Sequence, residues 1–62
     1  MAPAIVVRPI LNLPAALCIT RFADGVNIIL INPCVPAGTL RDLCRVLCTP
    51  AEREALDEYL AD

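Results

Sequence analysis

Two apolar runs separated by a short turn sequence dominate the middle of the chain. The runs LCITRF at residues 17–22 and VNIILIN at 26–32 flank Ala-Asp-Gly at 23–25. The first two turn residues suit a type I turn, and Gly25 supplies the left-handed residue of a three-residue hairpin. The pattern therefore predicts a β-hairpin. A two-residue turn at Asp24 and Gly25 stays open as the alternative, and it would shift the strand pairing.

The three-residue turn fixes which side chains share a face of the hairpin. In that register Arg21 opposes Asn27, and Phe22 opposes Val26. One face carries Cys18, Thr20, Phe22, Val26, Ile28 and Leu30, and the other carries Leu17, Ile19, Arg21, Asn27, Ile29 and Ile31. Because the second strand is apolar on both faces, we expect both of its faces to be covered.

The N-terminal segment has a weaker strand pattern. Residues 4–7, AIVV, are rich in β-branched side chains and are limited by Pro3 on one side and by Arg8 and Pro9 on the other. Proline cannot donate to a strand ladder, so a short strand that lies at a sheet edge or stops early is expected. Residues 10–16 contain Asn and Pro and predict an irregular connection.

Two helices are predicted after the hairpin. Asn32 and Pro33 end the strand, and CVPAG at residues 34–38 reads as a loop. The sequences TLRD and TPAE then match the capping-box pattern. They place Thr39 and Thr49 as N-caps and Asp42 and Glu52 at the third helical positions, with Pro50 at the tolerated first position of the second helix.

Each predicted helix has an apolar stripe and a charged side. The first stripe consists of Leu40, Leu43, Cys44, Leu47 and Cys48, opposite Arg41, Asp42 and Arg45. The second helix should bury Ala55, Leu56, Tyr59 and Leu60 and expose Glu54, Asp57 and Glu58.

Size and composition limit how the chain can be stabilised. Residues 1–62 form a single small domain at most, and a chain of this length buries only about 60% of the surface that its unfolded form exposes. Hydrophobic residues nevertheless make up 58% of the sequence, against roughly 45–50% in an average soluble domain. We infer that another chain covers part of the apolar surface.

Charge disfavours several classes of partner. The net charge is −2, so no basic field would attract a phosphate backbone. A helix-turn-helix spanning residues 39–60 would place the acidic second helix against DNA, which the phosphates would repel. No apolar stretch is long enough to span a bilayer and no basic region precedes the N-terminal apolar residues, so we expect a cytoplasmic protein without nucleic-acid or membrane partners.

The four cysteines allow three interpretations: buried thiols, one disulfide, or a zinc site. No two of the cysteines, which are Cys18, Cys34, Cys44 and Cys48, form a C-x2-C pair, and this disfavours a zinc site. Cys44 and Cys48 align with the apolar stripe of the first helix. The chain has no histidine to activate a thiolate. We therefore expect buried thiols, no cofactor and no enzymatic activity.

The order of features from residue 13 to residue 48 resembles the core of the ImmA/IrrE family of zinc metallopeptidases. The resemblance rests on five features in the same order: an LP pair at 13–14, a hairpin, a strand ending IILINP, a proline-bearing loop and an arginine-containing helix. Asn32 and Arg41 are the two residues that carry it. In that family the comparable helix has an H-E-x-x-H zinc motif. Here it reads LRDLCRVLC, so the resemblance implies a shortened relative without zinc ligands or a catalytic base.

The combined pattern predicts an α+β domain: a small antiparallel sheet, either a hairpin alone or three-stranded, followed by two short C-terminal helices covering one sheet face. The opposite apolar face, assigned to Ile19, Ile29 and Ile31, would bind a second copy or another subunit. Arg41 and Arg45 project together one turn apart and would either pair with an acidic partner surface or form a solvated face. The function predicted is that of a small non-catalytic interaction or regulatory subunit, with a cysteine-liganded zinc module or a DNA-binding regulator as alternatives.

Overall fold

The computed structural model describes residues 4–61, so Pro3 lies outside the described part of the chain. It has an α+β fold in which three strands precede two helices. The elements are β1 (Ala4–Pro9), β2 (Leu17–Arg21), β3 (Val26–Ile31), α1 (Ala37–Leu47) and α2 (Pro50–Ala61).

The hairpin has the register that the sequence predicts. Arg21 pairs with Asn27, and the Phe22 N–H donates to the Val26 carbonyl at 2.9 Å. Gly25 has a φ of 91°, in the left-handed region that a residue with a side chain adopts only at a cost. The Asp24 carboxylate accepts from the Val26 N–H at 3.2 Å and closes the turn. The three-residue turn is thus confirmed.

The N-terminal strand joins the hairpin in parallel. The sheet order is β1-β3-β2, with Val7 beside Ile29, so the sheet is mixed and the expectation of an antiparallel sheet is wrong for this strand. β1 lies at an edge, as predicted, but it continues through Arg8 and Pro9. An edge position tolerates proline because one side of the strand needs no donor.

The helices cover the sheet face opposite to the one expected. The core consists of Ile29, Ile31, Leu40, Cys44 and Leu56, and Ile19 packs against it. Ile29 is fully buried and Ile31 is 2% exposed, so the expectation that these isoleucines form the uncovered face is wrong. The alternation of side chains along β3 leaves Val26, Ile28 and Leu30 on the face without helices.

The first helix begins three residues earlier than predicted, with Pro36 instead of Thr39 at the N-cap position. Pro36 has a φ of −56° and its carbonyl accepts from the N–H groups of Thr39 and Leu40. Thr39 is therefore already inside α1 and does not cap it, and the loop ends before Ala37. Because the first helical residues are exposed, water can satisfy their free N–H groups in place of a side-chain cap.

The second helix begins at the predicted capping box. The Glu52 N–H donates to the Thr49 hydroxyl at 3.3 Å, and the Thr49 N–H donates to Glu52 Oε1 at 2.9 Å. The predicted burial is correct for Leu56, whereas Tyr59 is 37% exposed and Leu47, at the end of α1, is 55% exposed. Two helices this short cannot enclose every apolar residue of their stripes.

Candidate functional site

One face of the sheet is left uncovered by the described residues, and it is mostly apolar. We call it the open sheet face. Val6, Val26, Ile28 and Leu30 are half-buried on it, and Phe22 at its border is 50% exposed. The remaining positions of the same alternation are Ala4, Arg8, Cys18 and Thr20, all exposed.

Two opposite charges lie at opposite ends of the sheet, Arg8 on the open sheet face and Asp24 in the hairpin turn. Arg8 is level with Leu30 at one end of the sheet. Asp24 lies in the turn before Val26, at the other end. Neither forms an ion pair with any residue in the range 4–61. The strand between them is too long for a direct contact within one copy.

A buried carboxylate joins the other sheet face to the second helix. Glu52 is fully buried and accepts from Arg21 Nε at 3.0 Å, Arg21 Nη2 at 2.8 Å and Asn27 Nδ2 at 2.9 Å. The same carboxylate accepts from the Thr49 N–H of the capping box. Arg21 also donates to the Leu47 carbonyl at 3.2 Å, so one side chain ties β2 to both helices.

The surroundings of Glu52 favour its charged form. The hydrogen bonds from Arg21 are the largest cause that lowers the pKa of Glu52, and they outweigh burial, which acts in the opposite direction. The same hydrogen bond raises the pKa of Arg21, which is already cationic at any ordinary pH. A carboxylate with all its acceptor positions used by the fold is a structural group, and it has no capacity left for acid–base chemistry.

A groove of about 570 Å³ lies between the two helices. We call it the interhelical groove. Its floor is the buried Cys44, and its walls carry Arg41, Arg45, Pro50, Arg53, Glu54, Asp57 and Glu58. The structure thus brings Arg41 and Arg45 together, as their spacing predicts. Arg41 is already engaged, because its Nε donates to Asp57 Oδ1 at 3.3 Å within the same chain.

The cysteines do not gather into one site. Cys18 and Cys34 are exposed, which corrects the expectation of four buried thiols, while Cys44 is buried and Cys48 partly buried. All four are free, and the described range contains no group of three or more potential metal ligands. Burial raises the pKa of Cys48 to about 12, with a hydrogen bond to Cys44 as the next cause. A thiol with so high a pKa is a poor nucleophile at neutral pH.

Two features of these sites were not predicted from the sequence. Glu52 is predicted only as a cap, although Arg21 and Asn27 at facing hairpin positions were a signal that a polar partner lies above them. Arg53 is on a helix that is otherwise acidic, and only the packing of α2 on α1 shows that it shares a groove with Arg45.

Asn32 is one of the two residues that carry the resemblance to the metallopeptidase core, and it organises the loops at one end of the sheet. Its Nδ2 donates to the Leu13 carbonyl at 3.2 Å, and its Oδ1 accepts from the Cys34 N–H at 2.9 Å. This role accounts for an asparagine at the strand end without any reference to ancestry.

Between residues 4 and 61, neither helix has both the length and the apolar character needed to cross a bilayer. The sequence matches no protein-family model, and no curated protein or solved structure is detectably similar to it. The ImmA/IrrE resemblance therefore stays a prediction, and a functional conclusion has to come from the geometry of the surfaces described above.

Proposed function

We propose that this chain is a small protein-interaction subunit that self-associates through its open sheet face. The observation that carries the proposal is an apolar sheet face with no cover among the described residues. A sheet normally covers an apolar face with another layer, and a second sheet packed about 10 Å away is one of the common solutions. The occupant we propose is the same face of a second copy.

The charges at the ends of the sheet favour a second copy. A twofold axis in the plane of the interface and perpendicular to the strands places β1 over β1, running in the opposite direction. The Arg8 end of one copy then overlies the Asp24 end of the other. Each copy would contribute one arginine and one aspartate to two equivalent contacts around an apolar centre, which is the arrangement of an ordinary interface.

The area of the face sets the strength expected for the dimer. Three strands of five or six residues cover roughly 20 Å by 14 Å. The resulting area of about 280 Å² is below the roughly 800 Å² per partner of a standard stable interface. The exposed Ile10 and Leu11, directly after β1, add apolar area at one end. We therefore expect a weak, reversible dimer.

Sedimentation velocity over a range of concentrations tests the proposal. The wild-type chain of 6.7 kDa should shift from monomer to dimer as its concentration rises. The Thr20→Glu variant should weaken dimerisation by at least about tenfold, because Thr20 is level with Ile28 at the middle of the open sheet face, where each dimer would bury two carboxylates without a cationic partner. Thr20 is exposed in the single copy, so this variant should still fold.

Val46→Glu is the matched control, since Val46 is 81% exposed on α1, away from the sheet. It introduces the same charge and should leave dimerisation unchanged. A folded wild-type monomer at all concentrations would overturn the proposal. Equal weakening by the two variants would also overturn it, because the effect would then come from net charge alone.

The two alternatives predicted from the sequence remain proposals, and fewer structural observations support them. A zinc-stabilised module would use some of the four cysteines, yet Cys18 lies on the open sheet face and Cys44 in the core, so these two thiols could not share a metal ion in this fold. Metal analysis together with a melt in the presence of a chelator would test this alternative. For DNA binding, the acidic wall of α2 is the obstacle, and a salt-dependent binding assay is the test.

A further inference from the structure

The interhelical groove has an ordered charge pattern, and ion pairs within the chain use only part of it. The contact between Arg41 and Asp57 shows that α2 folds back along α1, around a turn at Cys48 and Thr49. Residues equally far from the centre of this turn lie at the same level of the two helices. Arg45 and Arg53 both line the groove, and the symmetry that pairs residue 41 with residue 57 leads us to infer that they lie at the same level.

The two levels of the groove carry opposite net charge. At the level nearer the turn, Arg45 and Arg53 contribute two positive charges against the single negative charge of Glu54. At the next level, Asp57 and Glu58 outnumber Arg41. Successive levels of a helix are separated by one turn, about 5.4 Å. The groove therefore has a positive end and a negative end about one helical turn apart.

Most of these charges have no firm partner within the chain. Arg45 reaches only Asp42, at 3.9 Å, with both side chains more than two-thirds exposed. Arg53, Glu54 and Glu58 form no ion pair with the residues between 4 and 61. Two guanidinium groups facing each other across a groove repel, and a carboxylate placed between them would relieve that repulsion through charge-assisted hydrogen bonds.

We propose that the interhelical groove binds a small zwitterion whose carboxylate and ammonium groups lie about one helical turn apart, such as a short ω-amino acid. The carboxylate lies between Arg45 and Arg53, and the ammonium lies against Asp57 and Glu58. The volume of about 570 Å³ is within the range of small-molecule sites, and the open, solvated walls give millimolar affinity. A simple dianion fits less well, because the acidic level would repel it.

The groove is formed by the helices, which cover the sheet face opposite to the open one. Binding there is therefore independent of self-association, and either proposal can fail without the other. The test is an NMR titration of backbone amides at low ionic strength with glycine, β-alanine and 4-aminobutanoate, and with acetate as the anion-only probe. 4-Aminobutanoate should give saturable shifts at residues 45, 53 and 58, and it should bind more tightly than glycine or acetate.

Two variants with exposed positions test the two ends of the groove. Arg53→Gln and Glu58→Gln should each weaken 4-aminobutanoate binding by about two- to fivefold, the effect of one exposed ion pair. The control is Asp42→Asn, which removes the same charge as Glu58→Gln but lies outside the groove and competes for Arg45. It should not weaken binding. Equal affinity for acetate, no saturable shift at these residues, or equal weakening by Asp42→Asn and Glu58→Gln would each overturn the proposal.

Discussion

At the scale of single residues, the buried Glu52 carboxylate explains why polar side chains lie between the sheet and the second helix. It accepts hydrogen bonds from β2, from β3 and from the start of α2. Arg21 and Asn27 face the helices for this reason, although their polarity alone would suggest solvent exposure. A buried charge is tolerated only when its acceptor positions are satisfied, and no buried side-chain polar atom of the described residues lacks a partner.

We expect the Glu52→Gln substitution to destabilise the fold by about 1–3 kcal/mol. The neutral amide loses the charge-assisted bonds to Arg21, and its NH2 group faces the N–H donors that the carboxylate accepted. The urea midpoint of unfolding measures the change. Glu54→Gln, an exposed change on the same helix, should stay within about 0.5 kcal/mol of wild type. Equal effects of the two substitutions would contradict the role assigned to Glu52.

The lowered pKa of Glu52 also predicts how stability depends on pH. The carboxyl has an ordinary value of 4.5 and a lower one in the folded chain. Between these values the unfolded state binds more protons, so stability is fully present above the unfolded value and is lost as the pH falls through the folded one. Urea midpoints measured from about pH 6 to about pH 3 should decrease, and Glu52→Gln should flatten that decrease. An unchanged slope in the variant would argue against this linkage.

At the scale of secondary-structure elements, the two glycines make opposite demands on the backbone. Gly25 turns the hairpin with a positive φ, whereas Gly38 lies in the first turn of α1 with open space where a Cβ would be. Gly25→Ala should destabilise the fold by about 1–2 kcal/mol, the cost of a left-handed residue with a side chain. Gly38→Ala should stabilise it by about 0.5 kcal/mol, through a less flexible unfolded chain. Thermal melts of the two variants should shift in opposite directions, and shifts of the same sign would contradict this difference.

The elements also show how far sequence reasoning reaches. Local patterns predicted the hairpin register and the start of α2, because the turn at residues 23–25 and the capping box at Thr49 each fix their own geometry. The parallel pairing of β1 has no local signal, since it depends on where the 10–16 connection carries the chain. The apolar pattern did not predict which face the helices cover, because β3 is apolar on both faces, and the polar pair Arg21 and Asn27 was the one signal for the covered face. α1 begins after Pro36 instead of after Thr39, because the φ angle of proline is fixed near the value that a helix requires.

At the scale of the whole molecule, the sheet lies between a covered face and an open one. The covered face supplies the small core around Ile29 and Leu56. The open sheet face accounts for part of the excess of apolar residues in the composition. A single chain of this size has a marginal core, so burying the second face in a dimer would add to its stability.

Cysteine alkylation at neutral pH reports on both faces of the sheet. In dilute solution the exposed Cys18 and Cys34 should react with iodoacetamide faster than Cys44 and Cys48, because Cys44 is buried and burial raises the pKa of Cys48. At concentrations that favour the dimer, Cys18 on the open sheet face should become protected. Cys34, in the loop before α1, is the internal control and should keep its rate. Mass spectrometry of the labelled peptides measures all four rates, and rapid labelling of Cys48 or an unprotected Cys18 would count against this account.

The most direct test of the central claim is an isotope-filtered NMR experiment on a mixture of labelled and unlabelled chains. It detects only contacts between copies. We predict intermolecular nuclear Overhauser effects from the methyl groups of Ile28 and Leu30, and none from Ile29, which is fully buried by its own helices. A concentrated sample with no intermolecular effect from Ile28 or Leu30, or with effects from Ile29 in their place, would contradict the claim that the open sheet face joins two copies.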